Sequence, residues 1–110
     1  MNVIFTSEVL VYLENLIITL YEKEYFSYLE SSKRYIAELI DDIQINLPTK
    51  LHKPAPKYFD KYRKNMKYAG FRKNRTTTWY VFFKTYQENG EKTFLVCYIS
   101  NNHTMAQHLN

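Results

Sequence analysis

The spacing of hydrophobic residues changes once along the chain, from a helical period in the first half to strand-like runs in the second. Residues 2–6 alternate and predict a short first strand. Two stripes at helical spacing follow: Val9, Leu13, Leu16, Ile17 and Leu20, then Leu29, Ile36, Leu39, Ile40, Ile43 and Leu47. They predict two amphipathic helices, joined by a few residues around 24–26 into an antiparallel helical hairpin.

Local signals place the ends of these helices. Thr6 or Ser7 can cap the first helix, because a side-chain oxygen there can accept from a free backbone amide. Ser27 and Glu30 have the spacing of a capping box at the start of the second helix. Pro48 predicts its end.

The second half predicts a three-stranded antiparallel sheet from residues 66–74, 77–87 and 92–100. The pair Asn89-Gly90 between the last two strands is typical of a type I′ hairpin turn. Residues 48–66 hold all three prolines and predict a loop, with room for a helical turn near residues 58–62.

A two-residue turn sets the register of that hairpin. The predicted pairs are Phe83 with Val96, Phe82 with Cys97, Val81 with Tyr98, Tyr80 with Ile99, Trp79 with Ser100 and Thr78 with Asn101. Both faces are largely apolar, so we expect one to carry the helices and the other to be left for a ligand or a partner chain. The expected fold class is therefore α+β, with a single domain over residues 1–110.

The cysteine count and the hydropathy pattern bear on the compartment in which the protein is expected. Cys97 is the only cysteine of the 110 residues, which excludes an intrachain disulfide and suits a reducing cytosol. The apolar N-terminal stretch is interrupted by Glu8 and Glu14, so it predicts neither a signal peptide nor a membrane span. We expect a cytoplasmic protein with no membrane partner.

Charge is distributed unevenly behind a net value of +4. Residues 1–49 carry eight acids and three bases, whereas residues 50–75 carry ten bases and one acid. Tyrosines and phenylalanines lie between the bases of the second stretch. Basic and aromatic residues together favour a polyanion with stackable bases, although most charge runs are solvated faces.

Few side chains predict chemistry by themselves. His103 and His108 are five residues apart with no carboxylate or thiol nearby, so we predict no metal site and no cofactor. His52, between basic and proline residues, is predicted to be exposed in the loop. Trp79 and Cys97 are interpreted as core residues.

The order strand, two helices and three antiparallel strands, in a small basic chain, resembles the RelE/ParE superfamily of type II toxins. The segments that carry the resemblance are "RKNRTTTWYVFFKTY" and "FLVCYISNNH", together with the Asn-Gly hairpin. It extends over essentially the whole chain.

This resemblance implies a toxin that forms a hetero-oligomer with a cognate antitoxin, a segment of which covers the active face. RelE-like members cleave mRNA, usually on the ribosome and without a metal, whereas ParE-like members inhibit DNA gyrase. A third alternative is a non-catalytic basic binding module of the same fold.

For a ribonuclease, the resemblance implies a catalytic set of His103 as general acid with Arg72 and Arg75 on the phosphate. The residues implied to bind RNA are Lys64, Lys67, Lys73, Tyr98 and Asn102. The structural alternatives are a solvated strand end for the basic residues and turn chemistry for the asparagines.

The sequence also departs from that family. Thr78 stands where many ribonuclease members have a phosphate-binding arginine, and Ser100 or Tyr98 where many have a second one. No glutamate lies on the second strand to act as the general base. The remaining candidates for the base are Tyr98 and a loop lysine with a depressed pKa.

Overall fold

A computed structural model of the chain describes residues 1–105, 108 and 109. The elements, in chain order, are β1 (Asn2–Phe5), α1 (Ser7–Glu22), α2 (Leu29–Asn46), β2 (Lys53–Pro54), β3 (Lys67–Arg72), β4 (Thr78–Glu88), β5 (Glu91–Asn101) and α3 (Asn102–Met105). Short 3₁₀ turns at Leu47–Thr49 and Lys57–Lys61 flank β2. The α+β class is confirmed.

Within the described residues the sheet has five strands in the order β1-β5-β4-β3-β2. The three predicted antiparallel strands are present as β3, β4 and β5, but β1 and β2 extend the sheet and make it mixed, which the prediction did not include. β1 runs parallel to β5, and the other neighbours are antiparallel. Val3 and Phe5 explain the addition of β1, because beside β5 they pack against the helix-side core. β2 is a two-residue pairing of Lys53 and Pro54 with β3, too short to predict from alternation.

The helix ends confirm two of the three predicted signals. The Thr6 hydroxyl accepts from the Val9 backbone N–H at 3.2 Å and caps α1. α2 ends just before Pro48, as predicted. The capping box at Ser27 is wrong: Tyr28 occupies the N-cap position of α2, so Ser27 lies one residue too early to serve as that cap.

Both helices cover one face of the sheet, here called the inner face. Leu13, Leu39 and Ile43 pack there against the buried side chains Phe71, Trp79, Val81, Phe83, Phe94, Val96 and Ile99. The two helices also contact each other closely. The buried Ser32 hydroxyl of α2 donates to the Ile17 carbonyl of α1 at 2.6 Å. That hydrogen bond satisfies a polar group inside the core.

A one-residue bulge interrupts the pairing of β4 with β5. The predicted register holds from the turn to the pair Phe83–Val96, and the positive φ angles of Asn89 and Gly90 agree with the predicted type I′ turn. Cys97 then has no partner, and the register shifts so that Phe82 pairs with Tyr98.

Beyond the bulge, the five remaining predicted pairs are wrong. Ile99 lies opposite Val81, Ser100 opposite Tyr80, and Asn101 opposite Trp79. Ile99 therefore points into the helix-side core, where it is buried, and Tyr98 points away from it.

His52 is also placed differently from the prediction of an exposed loop residue. It is half-buried, its Nε2 lies 2.7 Å from the Leu47 carbonyl, and its ring meets Phe83 edge-on with centroids 4.7 Å apart. It therefore anchors the chain that leaves α2 against the edge of the core. Among the helices in the described part of the chain, none has the length and apolar character needed to cross a membrane.

Tyr35→Phe is expected to lower the free energy of unfolding by about 1–3 kcal/mol. The Trp79 indole N–H donates to the Tyr35 hydroxyl at 2.9 Å, and Trp79 is buried, so the variant leaves a buried donor unpaired. Urea unfolding measures the change. Tyr25→Phe removes an exposed hydroxyl and serves as the control. Equal stability of the two variants would contradict a structural role for this hydrogen bond.

Candidate functional site

The face of the sheet away from the helices, here called the outer face, carries aromatic and polar side chains. Strand alternation and the bulge place three rows of side chains across β3, β4, the end of β5 and the first residue of α3. The rows are Arg72, Thr78 and Asn102; Gly70, Tyr80 and Ser100; and Tyr68, Phe82 and Tyr98.

The loop of residues 55–66 between β2 and β3, here called the basic loop, covers part of this face. Phe59, from the Lys57–Lys61 turn, is fully buried and stacks on Phe82 with centroids 4.4 Å apart. Tyr62 stacks on Tyr98 at 3.9 Å with the rings 11° from parallel. These contacts form a second, smaller core, so this part of the outer face is not an open surface.

An open groove of about 650 Å³ remains beside the covered part. Its walls include Lys50, Lys53, Tyr68, Gly70, Tyr80 and Leu109. Lys53 brings an ammonium group that could bind phosphate, and the tyrosines bring rings for stacking, the two chemical features a nucleotide needs. The Lys50 ammonium lies 4.6 Å from the centroid of the Phe71 ring.

Gly70 has no side chain, so nothing projects from this position into the groove. A Cβ at this position would lie 3.3 Å from Thr78 Cγ2 and 3.6 Å from Tyr80 Cε1. The groove residues were not predicted as a site, although a glycine within a strand pattern is a signal for close approach of another group. The glycine therefore indicates a candidate binding surface at this position, which includes Tyr80, the residue that pairs with Gly70.

The turn between β3 and β4 holds its shape through side-chain hydrogen bonds. The Arg72 guanidinium donates to the Asn74 carbonyl at 3.1 Å and to the Arg75 carbonyl at 3.4 Å. The Asn74 side-chain oxygen accepts from the Thr76 and Thr77 backbone amides, each at 2.9 Å. Arg72 is exposed, but two of its donors are used within the turn.

His103 lies at the same end of the sheet, in α3. Its Nε2 is 3.1 Å from the Thr77 hydroxyl, and its ring is exposed. Thr77 also accepts at its carbonyl from the Lys73 backbone N–H, so it connects His103 to the turn. Sequence reasoning did not identify Thr77, and a threonine among three gives no distinguishing signal.

The two asparagines before His103 perform turn chemistry. Asn102 accepts from the Thr78 backbone N–H at 2.9 Å and donates to the Thr76 carbonyl at 3.0 Å, so its amide continues the sheet pairing past the end of β5. Asn101 accepts from the His103 and Thr104 backbone amides and caps α3. Together they determine the position from which the imidazole projects.

The structure brings only some of the predicted catalytic and RNA-binding residues close together. Arg72, Arg75 and His103 all border the β3–β4 turn. Lys73 extends its Nζ over the Tyr35 ring of α2 at 5.4 Å, toward the helices. Lys67 is five residues from Arg72, about 17 Å along the strand, and Lys64 lies farther away in the preceding turn.

Tyr98 does not have the properties of a general base. Burial raises the pKa of its phenol well above the ordinary value, and a hydrogen bond with Tyr62 raises it further. The exposed Lys61, whose ammonium lies 4.0 Å from the centroid of the Tyr58 ring, also has a raised pKa, caused first by its interaction with Tyr58. Neither residue is therefore shifted toward a neutral-pH base.

No group of three or more His, Cys, Asp or Glu side chains that could hold a metal ion occurs within residues 1–105, 108 and 109. Comparisons of the chain with protein-family models, with curated proteins and with solved structures find no match.

Replacement of each asparagine by aspartate distinguishes their two roles. Asn102→Asp loses the donor to the Thr76 carbonyl and places a carboxylate against it, so we expect a loss of about 1 kcal/mol in unfolding free energy. Asn101→Asp keeps the acceptor that caps α3 and is the matched control, with little change expected. Thermal unfolding measures both. A larger loss in the control would contradict these assignments.

The raised pKa of Tyr98 predicts a pH dependence of stability. Above pH about 10 the phenol ionises in the unfolded chain before it does in the folded protein, so ionisation favours unfolding. The contribution is complete below that pH and is lost as the pH rises. We expect the unfolding free energy of Tyr98→Phe to fall less steeply at alkaline pH than that of the unmodified protein. Identical slopes would contradict the assignment.

Proposed function

We propose that this chain is a toxin of the RelE/ParE kind that binds RNA on the outer face of its sheet and cleaves mRNA at the ribosome, in the cytoplasm. The observation that carries the proposal is the juxtaposition of the open groove with the β3–β4 turn. Gly70 in the groove and Arg72 at the turn are alternate residues of one strand, about 7 Å apart on the same face. A bound strand could extend from the tyrosines of the groove toward Arg75 and His103.

The composition of the surface supports RNA as the ligand. Lys53 pairs with Tyr68 across β2 and β3, and Lys50 and Tyr80 line the same groove, so cationic and stacking groups occur together there. The order strand, two helices and antiparallel hairpin strands, on which the resemblance rests, also supports the proposal. An antitoxin, the implied partner, would cover this outer face.

The proposed reaction is attack of a 2′-hydroxyl on the adjacent phosphate. The 2′-hydroxyl releases its proton to solvent, the bond between phosphorus and the 5′-oxygen breaks, and a 2′,3′-cyclic phosphate is left. His103 would protonate the departing 5′-oxygen, a role suited to imidazole near neutral pH. Thr77 orients the ring through the contact at Nε2. Arg75, with the part of the Arg72 guanidinium not engaged in the turn, would stabilise the charge that develops on the phosphate.

A second candidate is a ParE-like inhibitor of DNA gyrase or a non-catalytic binding module. The structural use of Arg72 favours it, because a guanidinium already bonded to two carbonyls has fewer donors left for a phosphate. Thr78 also favours this second candidate, because its backbone N–H already donates to the Asn102 side-chain oxygen and is not free for a phosphate.

Ribosome-dependent cleavage of mRNA in a purified translation system tests the catalytic proposal. We expect cleavage by the unmodified protein and a loss of about 10²-fold or more for His103→Ala, the usual contribution of a general acid. Undiminished cleavage by the variant would remove His103 from the mechanism. Inhibition of DNA supercoiling without any RNA cleavage would support the gyrase alternative.

Binding of a labelled single-stranded oligoribonucleotide tests the groove separately from catalysis. The double variant Lys50→Ala/Lys53→Ala should bind more weakly, with a salt dependence shallower by about 0.7 for each lysine that contacts a phosphate.

The double variant Lys23→Ala/Lys33→Ala loses the same net charge from exposed positions in the helical half of the chain and serves as the matched control. Equal loss of affinity in the two double variants would show that net charge, and not the groove, attracts the RNA.

A further inference from the structure

α1 has a second apolar face that the fold leaves exposed. Val9, Leu13 and Leu16 turn inward and are buried against the sheet. On the other side of the helix, Val11 and Ile18 are 57% and 47% exposed, and Leu10 and Tyr21 are also exposed. A helix that needs only its inner stripe for the core would ordinarily have polar residues here.

The spacing of the exposed residues matches the seam of a helix pair. Val11 and Ile18 are seven residues apart, as are Glu14 and Tyr21, so these four positions form the alternating a and d sites of a heptad pattern. Leu10 widens the stripe at one flank. A single carboxylate, that of the exposed Glu14, lies at its centre.

The charge of α1 is uniformly acidic. Glu8, Glu14 and Glu22 are the charged residues between Ser7 and Glu22, and none is basic. A partner that covers the stripe must leave Glu14 hydrated or place a cation beside it, because an unpaired carboxylate is costly to desolvate.

A second copy of the chain does not meet that requirement through α1. The centre of the stripe lies between Val11 and Ile18, next to Glu14, so an antiparallel pairing about a twofold axis brings the two Glu14 side chains together. A parallel pairing in register does the same. Like charges at the centre of either interface oppose it.

We propose that the outward face of α1 docks an amphipathic helix of a partner protein, which presents an apolar stripe and a single lysine or arginine opposite Glu14. The apolar residues supply the buried area, and the charge pair sets the register, as a lone polar residue at a core position does in helix pairs. This surface lies on the helix layer and the groove on the outer face, so the proposal does not depend on RNA binding.

Two synthetic amphipathic helices serve as probes, each about three heptads long with leucine at the a and d positions. One carries lysine at the central d position, and the other carries glutamate there. Fluorescence anisotropy of the labelled peptides is measured with the full chain. We expect the lysine peptide to bind at least about tenfold more tightly than the glutamate peptide.

Three variants sharpen the test. Glu14→Lys should reverse the preference between the two peptides, since the charge pair is then restored with the glutamate probe. Ile18→Asp should abolish binding of the lysine peptide. Ile45→Asp, which changes an exposed apolar residue on α2 outside the stripe, should leave it unchanged. Circular dichroism confirms that each variant is folded.

Several outcomes would overturn the proposal. Failure of the lysine peptide to bind the unmodified protein, or an unchanged preference in Glu14→Lys, would remove the docking site. Sedimentation that shows a dimer of the unmodified protein, dissociated by Ile18→Asp, would assign the face to a second copy. Binding to neutral lipid vesicles that Ile18→Asp abolishes would assign it to a membrane surface. None of these results bears on RNA cleavage.

Discussion

The pairing of β4 with β5, with its single bulge at Cys97, is the constraint on which the rest of the structure depends. A strand presents successive side chains to opposite faces, so one extra residue exchanges the faces of everything that follows. With the bulge, Ile99 completes the core beneath the helices and is 2% exposed. Without it, Tyr98 would occupy that side, and an isoleucine would point to the outer face.

The outer face acquires its character from this exchange. Tyr98 becomes available to stack on Tyr62, and this contact holds the basic loop to the sheet beside the Phe59–Phe82 pair. The loop in turn limits the open part of the face to the groove between Lys50, Lys53 and the tyrosines of β3 and β4. A local irregularity in one strand thus affects which part of the outer face stays open to solvent.

The polar end of β5 has a structural explanation. The Asn101 and Asn102 side chains replace the backbone pairing that the strand can no longer make, and they join it to the start of β4 and to α3. His103 projects from this braced position into solvent, in contact with Thr77. The two amides therefore have structural roles, whereas the imidazole is exposed and, among the described residues, makes a single side-chain hydrogen bond, with Thr77.

The acidic and basic halves of the sequence become two layers of one molecule. The acidic residues lie mainly in the segment that forms α1 and α2, and the basic ones in the segment that crosses the outer face and forms β3. The two layers therefore present surfaces of different chemistry, one an apolar face on an acidic helix and the other rich in cations and aromatic rings.

Much of the fold could be predicted from the sequence because it depends on short-range patterns. Hydrophobic spacing identified both helices, Thr6 and Pro48 marked their ends, and Asn89-Gly90 set the hairpin and its register as far as Val96. Arg72, Arg75 and His103 were expected near one another for the same reason, since strand pairing brings their positions together.

Only the tertiary structure decided the features that depend on partners distant in sequence. The bulge forms where burial of Ile99 against the helices outweighs regular pairing, and β1 joins the sheet because Val3 and Phe5 need that core. The engagement of Arg72 in its own turn, the raised pKa of Tyr98 and the groove around Gly70 arise in the same way. The periodicity of the sequence indicates which residues are buried, whereas these features depend on which residues contact one another in the folded protein.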